Sequence, residues 1–250
     1  MKLQNTLAAT AALALLAGAA NGQIATYSED FEGFSVANAD GLNGPGDDGW
    51  LVGANIFDSS NNFLFNYFAF PAPNFDGTGV ESARFSNIQT GQGGVDQGAN
   101  QLAIFSDYNN QGSQTDGSII EANTFREYTV AAGDEGLWQF DFDYKNGDIS
   151  QGGMTAVAFV KVLDPNANFS GPVLTFDTTN SNDLWAGGSI QVNIDNSQVG
   201  HIFQIGFWAL GGGNDPSTVF YDNLNLFKVP TPGAVAVLGL GVLAGRRRRA

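Results

Sequence analysis

Acidic side chains near both ends of the central sequence are of a type that binds metal ions. Glu29, Asp30 and Glu32 lie in the segment EDFEGF, and Asp222 lies in the segment FYDNL. Calcium takes about six to eight oxygen ligands, which carboxylates and backbone carbonyls supply. If the first and last strands of the domain pair, these carboxylates meet at one sheet edge. The alternative is that they are ordinary outward-facing polar positions on strands.

A second acidic pair, Asp141 and Asp143, alternates with aromatic residues in the segment LWQFDFDY. Residues two apart on a strand share a face, so the two carboxylates point the same way. Glycoside hydrolases use two carboxylates at a set separation, which makes a hydrolase or lyase one alternative. Alternating outward acids are also the ordinary pattern of a half-buried strand. We therefore predict a protein with no catalytic residues.

Other catalytic chemistry has few candidate residues in this chain. It has no cysteine, which excludes thiol catalysis and cysteine-ligated zinc. Its one histidine, His201, opens an apolar run and has no nucleophile-elbow sequence near it. We expect His201 to be structural.

Sugar binding requires exposed aromatic rings beside planar polar groups, because a ring face packs against the CH groups of a sugar. Two of the four tryptophans occur in loop-like sequences, whereas Trp138 and Trp208 lie within apolar runs and are expected in the core. The candidate glycan contacts are Trp50, Trp185, Tyr67 and Tyr108. The alternative is that the loop tryptophans cap the end of a core.

The elements that would position these residues are β-strands throughout. The segment LWQFDFDY alternates with a period of two, as a half-buried strand does, and the run TAVAFVKVL suits a strand buried on both faces. About ten such strands are separated by turns rich in Gly, Asn and Asp. The pattern predicts an all-β fold, a jelly-roll β-sandwich, in one domain spanning residues 23–228.

The two ends of the chain differ from this domain. Residues 1–22 contain Lys2 followed by an apolar stretch rich in small residues, which predicts a signal-peptide helix and export. In residues 229–250 two prolines precede a short apolar stretch and a final arginine cluster, which predicts a short C-terminal transmembrane helix.

This tail resembles the PEP-CTERM sorting signal of bacteria that carry exosortases. The matching residues are Val229, Pro230, Thr231, Pro232, Arg246, Arg247, Arg248 and Arg249. Thr231 departs from the motif, which usually has Glu there. The resemblance implies recognition by an exosortase-type enzyme, transient membrane anchoring, and a mature protein in the cell envelope or the biofilm matrix. A plain membrane anchor is the alternative.

The central domain resembles carbohydrate-binding modules and galactose-binding-like jelly rolls, in which an FE pair near the start and a DN-hydrophobic segment near the end hold a structural calcium ion. That resemblance implies Glu32 and Asp222 as the main Ca²⁺ ligands, with Asp30 and Glu29 as additional ones.

Charge restricts the partners of the exported domain. All 25 acidic residues lie in residues 23–228, but only five of the ten basic residues do. Such a surface repels nucleic acid and is compatible with extracellular polysaccharide. We predict a non-catalytic envelope or matrix protein that acts in adhesion or glycan contact. The alternatives are a specific carbohydrate-binding module and a glycoside hydrolase or lyase.

Overall fold

The computed structural model describes residues 22–34, 49–71, 85–106, 117–152, 154–212 and 216–230. Within them lie twelve strands, one four-residue α-helical turn at Ile149–Gly152 and two short 3-10 helices at Pro165–Ala167 and Asn196–Gln198. The strands are β1 (Tyr27–Glu29), β2 (Trp50–Phe57), β3 (Phe63–Pro71), β4 (Ser86–Thr90), β5 (Asn100–Ile104), β6 (Ile119–Thr129), β7 (Gly136–Asn146), β8 (Thr155–Leu163), β9 (Val173–Asp177), β10 (Ala186–Ile194), β11 (Ile202–Gly212) and β12 (Val219–Lys228).

The strands form two six-stranded antiparallel sheets, so the prediction of an all-β sandwich is confirmed. The front sheet has the order β3-β2-β6-β11-β8-β9, and the back sheet has the order β10-β7-β12-β5-β4, with β1 also paired to β12. Several connections cross from one sheet to the other, as they do in jelly rolls.

The hydrophobic pattern of each strand explains its place. In β10 every second side chain is buried, so one face meets the core and the other is exposed. Strand β8 is buried at most positions on both faces, as its continuous apolar sequence predicts. Strands β2 and β9 were not predicted, because β9 has no buried side chain and the start of β2 reads as a loop.

Aromatic side chains from both sheets meet in the core. Phe207 of the front sheet stacks on Tyr221 of the back sheet, with ring centroids 3.7 Å apart, and Trp50 lies parallel to Phe207 at 6.4 Å. The Tyr221 hydroxyl is bonded to the Thr178 hydroxyl at 2.8 Å. These contacts fix the separation and register of the two sheets.

The first and last strands pair as expected. Strand β1 runs antiparallel to the end of β12, with Tyr27 opposite Leu226 and Glu29 opposite Leu224. The start of the domain therefore lies beside its end.

The predicted signal segment, except Gly22, and residues 231–250 of the predicted tail lie outside the described residues. Among the residues that are described, no helix is long and apolar enough to cross a membrane.

Candidate functional site

The outer face of the front sheet carries a group of polar residues on three neighbouring strands. In the register of the sheet, Asn55 of β2 lies opposite Glu121 of β6, and Asn123 of β6 lies opposite Trp208 of β11. All four side chains point away from the core, because the alternate positions on these strands are the core residues. We call Asn55, Glu121, Asn123 and Trp208 the front-face cluster.

Hydrogen bonds fix the orientation of both amides in the cluster. The Nδ2 groups of Asn55 and Asn123 each donate to Oε1 of Glu121 at 3.0 Å. Their carbonyl oxygens consequently point away from Glu121. Oδ1 of Asn55 and Oδ1 of Asn123 are both buried and have no hydrogen-bond partner. Buried acceptors without donors are rare in folded proteins, so each requires an explanation.

Trp208 supplies an apolar surface beside these acceptors. It is half-buried, whereas the other three members of the cluster are at most 9% exposed. Within the described part of the chain no hydrogen bond involves the Trp208 indole N–H. The cluster thus combines an aromatic ring, one carboxylate and two amide oxygens that lack donors.

Charged residues lie further along the same face. Gln204 Nε2 donates to Glu127 Oε2 at 2.8 Å, and burial raises the pKa of Glu127. Lys161 lies over the Phe159 ring with its Nζ 3.9 Å from the centroid. Burial lowers the pKa of Lys161, and the Glu121 carboxylate acts in the opposite direction. A ligand on this face would therefore meet the cation Lys161 in a partly desolvated environment, whereas the acidic and amide side chains named here are at most 9% exposed.

Sequence reasoning missed this cluster. Trp208 was predicted to lie in the core, and that prediction is wrong because its side chain points outward. The signal was the parity of β11, since Gln204 and Gly206 share a face with Trp208 while Phe203 and Ile205 face the core. The polar residues of β6 did not indicate which of its faces points outward, because side chains on both faces of that strand are buried.

Trp50 does not occupy the exposed position predicted for a glycan contact. Its side chain is fully buried in the core, and its indole N–H donates to the Tyr27 hydroxyl at 2.9 Å. The loop-like sequence before Trp50 misled the prediction, because Trp50 is already the first residue of β2.

The other predicted glycan contacts are scattered. Trp185 is half-buried on the opposite side of the sandwich, where its indole N–H donates to the Gln92 carbonyl at 2.8 Å. Tyr67 lies on β3, where its backbone is paired with that of Ala54, and Tyr108 falls outside the described residues. A role of Trp185 in sugar binding stays a prediction.

The predicted metal ligands lie near the pairing of β1 with β12. Asp222 is fully buried and its Oδ2 has no hydrogen-bond partner. Burial raises the pKa of Asp222 to about 7, and the carboxylates of Asp143 and Glu32 act in the same direction. Glu32 Oε1 accepts a hydrogen bond from the Asn100 backbone N–H at 2.7 Å. A cation would neutralise this repulsion and supply the missing partner for Asp222.

Glu29 and Asp30 instead hold the turn after β1. Glu29 Oε1 accepts from the Phe31 backbone N–H at 2.6 Å, and Asp30 Oδ1 accepts from that of Glu32 at 3.2 Å. In the described part of the chain no three Asp, Glu, His or Cys side chains are grouped as a metal site. Carbonyl or amide oxygens would therefore have to complete a site built on Glu32 and Asp222.

The carboxylates considered for hydrolysis, Asp141 and Asp143, both point outward on β7. Two amides bind Asp143 Oδ2, from Gln97 at 2.7 Å and from Asn223 at 2.9 Å. Gln139 Nε2 donates to both oxygens of Asp141, at 2.8 and 3.0 Å. Each carboxylate thus has its own amide partners.

Comparison with known proteins gives weak similarities. No protein family model matches the chain, and no curated protein matches it. Several solved structures that resemble it are carbohydrate-binding modules. The CBM22-1 xylan-binding domain of Paenibacillus barcinonensis is 10% identical, with 82% of this chain and 94% of that chain covered and a TM-score of 0.41. A family 11 carbohydrate-binding module of a Clostridium thermocellum cellulase is 12% identical, with 82% and 96% covered and a TM-score of 0.37.

A similarity of another kind involves the enzymatically active domain of tailspike protein 4 of bacteriophage CBA120. It is 12% identical with a TM-score of 0.44, and the match covers 77% of this chain but only 22% of the tailspike chain. At these identities and TM-scores none of the similarities indicates a function.

Proposed function

We propose that this protein is a non-catalytic carbohydrate-binding module and that its front-face cluster binds the glycan. The observation that carries the proposal is the half-buried Trp208 ring on the outer face of the front sheet, whose indole N–H has no hydrogen bond to any described residue. The CH face of a sugar packs on an indole ring, and an indole N–H donates to a sugar oxygen.

The binding of a sugar would follow from the fixed geometry of the cluster. The bonds from both amides to Glu121 fix the polar side chains beside Trp208 before a ligand arrives, so little side-chain entropy would be lost on binding. The rigid central strands β6 and β11 carry three of the four residues. A site of this kind needs no nucleophile or acid–base pair, which agrees with a binding role.

The test is calorimetric titration with soluble neutral polysaccharides such as xylan and β-glucan. We expect Trp208→Ala to weaken binding about tenfold or more, which corresponds to at least about 1.4 kcal/mol. Asn123→Ala should weaken it about three- to tenfold, because Glu121 loses a donor and the polar side chains beside Trp208 are no longer fixed.

The matched control is Asn193→Ala, which removes an exposed asparagine from β10 on the other sheet and should leave binding unchanged. Affinity and stoichiometry that neither Trp208→Ala nor Asn123→Ala changes would refute the front-face site. Release of reducing ends, abolished by Asp141→Asn or Asp143→Asn, would replace the binding role by hydrolysis.

We also propose that Glu32 and Asp222 bind a structural calcium ion. The buried Oδ2 of Asp222 without a partner supports this, together with the electrostatic influence of the Glu32 and Asp143 carboxylates on Asp222. The ion would supply charge neutralisation and would join the first strand of the domain to its last.

Finally, we propose export and sorting by the C-terminal tail, on the resemblance of residues 229–250 to PEP-CTERM signals. Mass spectrometry of the C-terminus of protein from native cells, with envelope and medium analysed separately, tests this. A chain that ends near Val229 or Pro230 supports processing by an exosortase-type enzyme. An intact arginine cluster in the membrane fraction would favour a plain anchor.

A further inference from the structure

A pocket of about 490 Å³ lies on the outer face of the back sheet, on the opposite side of the sandwich from the front-face cluster. The loop after β4 forms one wall, through residues 93–97. The other wall comes from residues 183–187, which lead into β10, and from Asp143 and Lys145 of β7. The volume is within the range of small-molecule sites.

The aromatic ring and the cation in this pocket are fixed by a shared partner. The Gln92 carbonyl accepts from Trp185 Nε1 at 2.8 Å and from Lys145 Nζ at 3.2 Å. The Gln92 side-chain oxygen also accepts from Lys145 Nζ at 3.2 Å. Gly94 allows the loop to approach the ring, since a Cβ there would lie 2.8 Å from Trp185 Cδ1. The half-buried indole is therefore held in one orientation.

The polar lining is preorganised in the same way. Asp143 is held by amides of Gln97 and Asn223, and Asp183 Oδ1 accepts from Asn146 Nδ2 at 3.0 Å. The Asp96 carboxylate has no hydrogen bond to any described residue. Acceptors for hydroxyl groups thus lie beside a rigid ring face.

Two apolar side chains at this pocket are left in solvent. Val95 is fully exposed and Leu184 is 75% exposed, so neither side chain is part of the hydrophobic core. Exposed apolar groups that border a pocket with an aromatic wall are typical of ligand-binding surfaces.

We propose that this pocket, which we call the Trp185 pocket, is a second ligand site. It binds a sugar residue that carries no carboxylate. Trp185 packs against the CH face of the ring, and the carboxylates of Asp96 and Asp183 accept its hydroxyl groups. The site is separate from the front-face cluster and does not depend on it.

Charge sets the class of sugar. Asp96, Asp143 and Asp183 line the pocket against the single cation Lys145, and the chain as a whole has a formal net charge of −15. A uronic acid would meet like charge both in the pocket and during its approach, so neutral sugars are favoured.

The experiment compares a neutral oligosaccharide, xylohexaose, with an acidic one of equal length, hexagalacturonate. Binding is followed by calorimetry and by saturation-transfer NMR in the Trp208→Ala background, in which the front-face site is weakened. We expect xylohexaose to bind at least about tenfold more tightly than hexagalacturonate. Trp185→Ala should abolish the remaining binding, and Trp185→Phe should restore part of it.

Charge is tested in the same background with the double variant Asp96→Asn, Asp183→Asn, which keeps the size of both side chains. The ratio of the affinity for xylohexaose to that for hexagalacturonate should fall about two- to fivefold, the range expected for exposed ion pairs. Thermal melting identifies any variant that is not folded. If Trp185→Ala unfolds, Trp185→Phe replaces it and should weaken the remaining binding without abolishing it; unchanged binding then overturns the proposal.

The outcomes separate the two sites. The proposal is overturned if the Trp208→Ala protein binds neither oligosaccharide, or if its binding is unaffected by Trp185→Ala. In either case wild-type binding that requires Trp208 would leave the front-face site standing. A preference for hexagalacturonate would overturn the charge argument.

Discussion

Some buried polar side chains in this protein have a hydrogen-bond partner and others have none, as two threonines illustrate. Thr124 lies on the inner face of β6 with its hydroxyl fully buried and without a hydrogen-bond partner. Thr178 is equally buried, but its hydroxyl is bonded to that of Tyr221 at 2.8 Å. An unpartnered buried hydroxyl costs free energy, whereas a paired one stabilises the fold modestly.

The two threonines therefore form a matched pair for substitution by valine, which has the same shape. Thr124→Val should raise the free energy of unfolding by about 1 kcal/mol, because it removes a buried hydroxyl that has no hydrogen-bond partner. Thr178→Val should lower it by about 1–3 kcal/mol, because it leaves the Tyr221 hydroxyl without a partner. Urea denaturation measures both, and changes of the same sign would contradict the assignment.

At the scale of a strand, Gly206 decides how closely β11 approaches β6. It lies in the middle of β11, opposite Phe125 on one side and Phe159 on the other. A Cβ at this position would lie 2.7 Å from both Cα and Cβ of Phe125. The obstructing atoms belong to the neighbouring strand and not to a flexible side-chain end, so the strand itself would have to move.

We expect Gly206→Ala to lower the free energy of unfolding by about 1–3 kcal/mol, the usual effect of overpacking. The control is Gly33→Ala, at a position with no heavy atom within 4 Å of the added Cβ. It should change stability little. Equal effects of the two substitutions in denaturant titrations would contradict crowding of position 206 by strand β6.

Strands could be predicted from the sequence where one of their two faces is exposed to solvent. The alternation in β7 and β10 was visible in the sequence, and the structure has both strands. The front-face cluster was not predictable, because its residues come from β2, β6 and β11 and meet only through the register of the sheet. In β6, polar and apolar side chains are buried alike, so the period of two carries no information about which face binds.

Considered as a whole, the molecule has different surfaces on its two faces. The front-face cluster and the Trp185 pocket lie on opposite sheets, with the aromatic core between them. One molecule with both sites could hold two sugar chains, and the resulting avidity would depend on the spacing of those chains.

The proposed calcium ion would act at the scale of the whole molecule, because it joins the two ends of the domain. With free calcium about a hundredfold above its dissociation constant, removal by a chelator should lower the melting temperature by about 5–10 °C. Asp222→Ala should melt low both with and without the chelator. Asp58→Ala, which removes an exposed carboxylate from the β2–β3 turn, should keep the response. A melting temperature that does not change with chelator would refute the calcium site.

Strand β12 has a consequence for how the domain is made. It lies inside the back sheet, bonded to β7 along one edge and to β5 and β1 along the other. The strand that joins the two halves of this sheet is thus the last to be synthesised. Pairing over such sequence distances is slow, and a chain that stops before Val219 leaves two half-sheets with open edges. The domain therefore folds only after nearly all of its sequence has been synthesised. Premature termination yields aggregation-prone fragments and not a smaller working module.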